Sequence, residues 1–539
     1  MTMNKDVLPN RRKYNQWVAN ETLEDYALRY TAKKSRLWSA AWVANTALGV
    51  VSFLALEAIG GAITLDYGFT NAMWAILVVG IIIFLSGLPL SFYAARDGVD
   101  IDLLTRGAGF GYIGSTISSL VYASFTFIFF ALEAAIMSMA LNMILGIPLS
   151  IAYVISALVI IPLVTHGISR ISLFQAWTQP LWLVLQVLPL VFIGIHEAGA
   201  FEQWLNFSGT SNLNTTITGQ ENNSFNLLLF GAAAAVIFPL IAQNGEQADF
   251  LRFLPEKTNK NRVQWWLAVV GAGPGWVVFG VIKLFIGSFL AVLALQHGIS
   301  PSLASDPAHM YAMAFSYITA NPDIALWLTG IFVVISQLKI NVTNAYAGSI
   351  AWGNFFSRVT HSHPGRVVWL FFNVAIALML MELGLYQAFE SILITYACLV
   401  VAWVGSVVAD LVINKPLGLS PAHIEFRRGH LYDINPVGVL SMLIASVVGI
   451  IANWGLLGET AKALAAFMSL LIPFVTVPLI AWLTQGKYYL CRHDVPEKNT
   501  ASSAQPEEPA QYACQICEND FDQEDILHCP SYEGTVCSL

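Results

Sequence analysis

The sequence predicts an all-α polytopic membrane protein of about twelve transmembrane helices. The helices form a 5+5 inverted repeat in which helices one and six are broken. Three observations predict this. Of 539 residues, 56% are hydrophobic and only 11% charged, against roughly 25% charged in a soluble domain. Apolar stretches long enough to span a bilayer, roughly 20 residues each, recur along the chain. Two of them carry polar and helix-breaking residues in their middle, at matching places in the two halves, which points to an inverted repeat.

The first of these is AAWVANTALGVVSFLALEAIGGAIT, Ala40–Thr64, with Glu57 near its centre and Gly60 and Gly61 just after. An intramembrane charge costs at least ~2.5 kcal/mol and marks a cavity or a partner. Two glycines favour unwound backbone, so the break is expected around Glu57–Gly61. The second is Phe225–Gln247, where Pro239 is followed by Gln243, Asn244, Gly245 and Glu246. Proline removes a helix hydrogen bond there.

In order, spans are expected near 40–64, 71–95, 116–145, 150–166, 178–197, 225–247, 264–296, 325–352, 366–386, 388–413, 436–456 and 461–484. Residues 1–39 form a polar, basic segment and 40–485 the membrane domain. Within it, about 40–197 is repeat one, about 225–413 repeat two, and 436–484 holds two further helices. A linker, 486–513, precedes a cysteine-containing tail, 514–539.

Lys and Arg residues set the orientation. The N-terminal segment, Arg96/Arg106, Arg170, Arg252–Arg262, Arg358/Arg366, Lys415–Arg428 and Lys487/Arg492 fall on one side. The opposite loops Glu197–Ser224 and His297–Asp323 contain neither residue type. The positive-inside rule then puts both termini in the cytoplasm of a bacterial-type inner membrane. No secretory signal precedes the first span.

Nothing in the chain points to chemistry on a substrate. There is no nucleophile elbow, phosphate-binding glycine loop or His-Glu-x-x-His, so the chain is read as no enzyme and as binding no nucleic acid. His166, His361 and His363 are surface histidines. Glu57 is the leading site candidate, as a substrate or proton group or as a partner of Lys339. Glu133 lies one turn beyond Phe129 on the same face of span three, a second acid for a relay or a carboxyl held by its neighbours. Lys283 is read as a structural lysine snorkelling along span seven. Glu246 is read as a solvated helix end.

Four stretches carry a family resemblance. They are DGVDIDLLTRGAGFG (Asp97–Gly111), ADFLRF (Ala248–Phe253), NVTNAYAGSIAWGN (Asn341–Asn354) and VVADLVINK (Val407–Lys415). In this order they resemble the nucleobase–cation symporter family, the purine–cytosine permease-like transporters, over about 35–485. The resemblance implies the leucine-transporter fold, with spans one, two, six and seven rocking against three, four, eight and nine. It implies substrate contacts at Glu57 in span one, at Thr126 and Phe129 in span three, at Leu240, Gln243 and Asn244 in span six, and at Asn341 and Asn344 in span eight; Glu133 joins this set from its place beside Phe129, not from the resemblance. It implies a sodium site between Gly49 and Ser52–Phe53 of span one and Ser336, Lys339 and Ile340 of span eight. Here the chain departs from the family pattern. Thr126 replaces a glutamine that reads a base edge. Lys339 and Ile340 replace oxygen ligands, and an ammonium repels a cation.

The function expected is alternating-access transport of a small polar, nucleobase-like heterocyclic solute without sodium, protons being the coupling ion if Lys339 cycles its proton. The alternative is a transporter-like sensor signalling through its tail to a cytoplasmic partner or a missing output domain. In the tail, Cys514-x2-Cys517 with Cys529 and Cys537 reads either as a four-thiolate zinc site or as an acidic tail with incidental thiols. No other cofactor is expected.

Overall fold

The computed structural model describes residues 30–31, 36, 38–197, 199–209, 224–360, 365–427 and 430–491, and four short strands beyond them. Each expected apolar stretch is helical. Among the described residues nine helices are long and apolar enough to cross a membrane, and the bent pair of span one makes ten. The shorter segments are span four, Leu149–Thr165, and span nine, Arg366–Glu382. They occupy equivalent places in the two five-helix halves.

Span one begins at Ala40, where the Ser39 hydroxyl caps Trp42 N–H at 3.2 Å. The helix Ala40–Leu48 tightens into a 3₁₀ turn, Gly49–Ser52, and Phe53 is extended at φ −66°, ψ 130°. A second helix, Ala55–Tyr67, leaves at 43° to the first. The break therefore lies at Phe53, ahead of the expected Glu57–Gly61.

Gly60 and Gly61 sit inside the second helix and have a packing role instead. A Cβ on Gly60 would stand 2.0 Å from the Leu284 carbonyl oxygen, and one on Gly287 would stand 2.1 Å from that of Glu57. Small residues let two membrane helices approach to backbone contact, and here they seat span one against span seven.

Span seven is itself divided, into Arg262–Ala272 and Trp276–Gln296, at the Gly273-Pro274-Gly275 turn. Span six runs from Leu227–Ile237 through a 3₁₀ turn, Phe238–Ala242, to Gln243–Leu251. Pro239 tightens this helix without the sharp bend of span one.

The other spans are Phe69–Asp97 (two), Ser115–Leu145 (three), Gly167–His196 (five), Pro322–Thr360 (eight), Leu385–Asn414 (ten), Pro436–Asn453 (eleven) and Ala465–Leu483 (twelve). Span three packs along span eight. A helix on the side opposite the basic loops, Pro307–Ser316, packs against spans five, seven and eight.

The tail holds two antiparallel strand pairs, Tyr512–Ala513 with Asp520–Phe521 and Ile526–Cys529 with Gly534–Cys537. Cys514 and Cys517 lie outside the described residues, as do the side chains of Cys529 and Cys537. His361 and His363 also lie outside them.

Because span one meets span seven backbone to backbone, Gly287→Leu should separate them. The expected cost is about 1–3 kcal/mol or more, read as a lower thermal midpoint of the purified protein. An unchanged midpoint would mean the two helices do not pack this closely.

Candidate functional site

The break in span one leaves two helix ends facing each other inside the membrane. A helix C-terminus carries partial negative charge and an N-terminus partial positive charge. Each end finds an ionisable side chain. The Lys283 ammonium donates to the Ser52 carbonyl, at the end of the first half-helix, at 3.2 Å. The Glu133 carboxylate accepts from Leu54 N–H at 3.2 Å and Ala55 N–H at 3.1 Å, at the start of the second.

Glu57 stands in the first turn of the second half-helix and pairs with Lys283 at 3.1 Å. Lys283 also lies over the Trp182 ring, 5.4 Å from its centroid. Tyr311 donates to Glu57 at 3.1 Å, and Gln186 donates to Tyr311 at 2.5 Å. One polar chain thus joins span five, the helix Pro307–Ser316, span one and span seven. All of these side chains are buried.

An aromatic group borders it. Phe53, at the break, meets Phe129 edge-on at 6.5 Å and Trp276 at 6.4 Å, and Phe125 lies 4.6 Å from Phe129. On span eight, Gln337, Asn341 and Asn344 recur at helical spacing and share one buried face. Asn344 donates to Asn341 at 3.3 Å. Among the described residues, Glu57 Oε2, Asn341 Nδ2 and Asn344 Oδ1 are buried without a hydrogen-bond partner.

Other expected site residues are engaged elsewhere. Thr126 donates to Asn373 of span nine at 3.3 Å. Asn244 donates to the Ile83 carbonyl at 3.0 Å and accepts from Trp276 at 3.2 Å, tying span six to spans two and seven. Gln243 donates to Glu246 at 2.8 Å. Glu246 is fully buried, which corrects its reading as a solvated end. Leu240 is buried in the 3₁₀ turn of span six.

Lys339 does not reach Glu57. Its ammonium donates to Gln175 Oε1 at 2.5 Å, the Gln175 carbonyl at 3.3 Å and Thr178 Oγ1 at 3.2 Å, all on span five. The partner of Glu57 is Lys283, which corrects the reading of Lys283 as a snorkelling lysine. An intramembrane lysine is itself a signal for such a partner. Gln186, Tyr311 and Trp182 carry no comparable signal in the sequence.

The site is closed on both sides. Opposite the basic loops, Tyr311 lies over Glu57. On the basic-loop side, Arg358 of span eight pairs with Asp102 at 2.6 Å and bonds Ser115 and Ser119 of span three. Arg106 joins Asp102 at 3.3 Å. Asp249 accepts from Ile101 N–H at 3.1 Å and Tyr122 at 2.8 Å, so the span-two/three connection is bound to span six. Beside the break, the void lined by Ala55, Ile59, Leu132 and Phe389 measures about 10 Å³, on the order of one water.

Outside the membrane, Arg106 also donates to the Phe426 carbonyl at 3.0 Å. Burial works to raise the neighbouring Glu425 carboxyl. Hydrogen bonds from Arg427, side chain and backbone, and the charges of Arg427 and His430 outweigh this and hold it below its ordinary value.

Two outcomes follow. Arg358→Met leaves the buried Asp102 with weaker partners and should cost about 3 kcal/mol, measured by thermal unfolding; no loss would exclude this seal. The stabilisation from a depressed Glu425 is present above the ordinary glutamate range, about 4.3, and lost as pH falls through the folded value. The protection factors of the 424–427 amides, exchange taken relative to the intrinsic rate at each pH, should therefore fall on acidification, and Glu425→Gln should abolish that fall.

No protein-family model and no curated protein matches the sequence. Solved structures match in shape. One is Mhp1, a nucleobase-cation-symport-1 family transporter, closed with bromovinylhydantoin bound. It is 14% identical, with TM-score 0.61, over 86% of this chain and 99% of that one. Inward-facing Mhp1 gives 16% identity and TM-score 0.58 over 86% and 92%. A substrate-bound, outward-open sodium-coupled sialic acid symporter gives 14% and 0.52 over 88% and 96%. At such identities the likeness is one of fold. The chain has the leucine-transporter fold, and the resemblance in its motifs is matched by the fold of a nucleobase-cation-symport transporter.

Proposed function

We propose that this chain is a secondary transporter moving a small, polar, nucleobase-like heterocyclic solute by alternating access. The observation that carries the reading is the set of buried, unpartnered polar atoms on Glu57, Asn341 and Asn344. They belong to a broken-helix core that holds the edge-to-face aromatics Phe129 and Phe53. Each unpaired buried group costs about 1–3 kcal/mol. A solute offering both donors and acceptors would recover that cost, and a flat ring would stack on Phe129.

With Thr126 bonded to Asn373, hydrogen bonding to such a ring falls to the Asn341–Asn344 face rather than to span three. Access from the basic-loop side requires opening the Arg358–Asp102 cluster. Access from the other side requires withdrawing Tyr311 from Glu57. Opening one seal while the other stays closed is the alternating-access cycle. The hydantoin bound to Mhp1 is likewise a heterocycle.

The test is counterflow in proteoliposomes with labelled hydantoins and nucleobases, and with sialic acid as a non-aromatic control. Saturable counterflow of a flat heterocycle is expected, and Phe129→Ala should raise its half-saturation concentration roughly tenfold. Tight binding without flux would contradict transport and favour the sensor. An unchanged Phe129→Ala would move the solute away from span three.

A further inference from the structure

One of the structural neighbours is a sodium-coupled symporter, and the family resemblance places a sodium site between spans one and eight. Sodium needs several oxygen ligands free to turn toward it. Around that position in this chain, the oxygens are already engaged by donors of the chain itself.

The Ser52 carbonyl accepts the Lys283 ammonium at 3.2 Å. The Gly49 and Ser336 carbonyls share the Ser52 hydroxyl, each at 3.1 Å. The Ser336 hydroxyl accepts from Trp182 at 3.1 Å. The Lys339 carbonyl accepts from Gln175 at 2.7 Å, and the Ile340 carbonyl from Thr343 at 2.7 Å. Ile340 brings no side-chain oxygen. The nearby carboxylate, Glu57, is paired with Lys283. The residues present therefore do not fit a sodium ion.

We propose that the Lys283 ammonium is a built-in replacement for the coupling cation. It provides the positive charge that the C-terminal end of the first half-helix and the Glu57 carboxylate require, and it excludes sodium from the site. An ammonium and a sodium ion are both monovalent, and both are attracted to carbonyl and carboxylate oxygens. The difference is the tether, which places the charge in span seven permanently. The sequence points to Lys339 for this role through its place in span eight, but the Lys339 side chain turns away to Gln175 and Thr178 of span five.

The experiment needs no solute. The full chain in nanodiscs is unfolded by heat in sodium, lithium or choline chloride at equal ionic strength, with tryptophan fluorescence as the readout. For the wild type the three curves should coincide. A melting temperature raised by sodium over choline would overturn the proposal. Lys283→Ser removes the ammonium and should gain a sodium-specific rise of about 2 °C or more. A folded Lys283→Ser protein with the same midpoint in all three salts would overturn it as well. Should Lys283→Ser not fold, Glu57→Gln/Lys283→Met supplies the second variant. It lacks both charges and should remain insensitive to sodium, and a sodium-specific rise in it would overturn the proposal. These readouts are independent of transport, so a failed counterflow assay leaves them standing.

Discussion

Two helix ends facing each other in the middle of a bilayer are the constraint on which this structure depends. With no water to solvate them, the carbonyls of one end and the N–H groups of the other must find partners within the protein. Here each end receives an ionisable side chain of complementary hydrogen-bonding character. Lys283 serves the carbonyl end and Glu133 the N–H end. Glu57 balances the lysine. The three side chains come from spans seven, three and one, so the break cannot form without bringing those spans together.

The packing follows from that requirement. Lys283 reaches the break because the Gly60–Leu284 and Gly287–Glu57 contacts let span seven lie against the second half-helix at backbone distance. Glu133 reaches it because span three lies alongside, with Phe129 one turn away on the same face. Tyr311 and Gln186 extend the polar chain outward to span five. The same groups that stabilise the break therefore line the place where a solute would bind. Moving one set of helices against the other would alter the pairing of Glu57, which links the shape of the bundle to the chemistry of its centre.

Much of this was legible in the sequence, for definite reasons. Spans are read from apolar length, which the bilayer dictates, and each expected span is a helix. Glu57 was legible because an acid in an apolar run needs a partner. The partner was harder to find. Lys283 and Lys339 both sit in apolar surroundings, and only the three-dimensional packing shows which ammonium turns toward the break. Glu133 carried a signal as an intramembrane acid, but its role as a helix cap depends on where the backbone opens. The break lies at Phe53 rather than at Gly60 and Gly61, because those glycines, which read in sequence as unwinding residues, are the contact surface for span seven. Glu246 lies at a helix end, where sequence alone favours solvent; the closed span-two/three connection helps to bury that region instead.

The central claim is that Glu57 and Lys283 act as one unit at the break. A double-mutant cycle on thermal unfolding, with Glu57→Gln, Lys283→Met and both together, tests it most directly. Each single change should destabilise strongly, since removing one partner strands a buried charge, at about 3–5 kcal/mol. The double variant should recover much of that loss, giving a coupling well above ~1 kcal/mol. Additive effects of the two changes would contradict the account and leave the break without its organising pair.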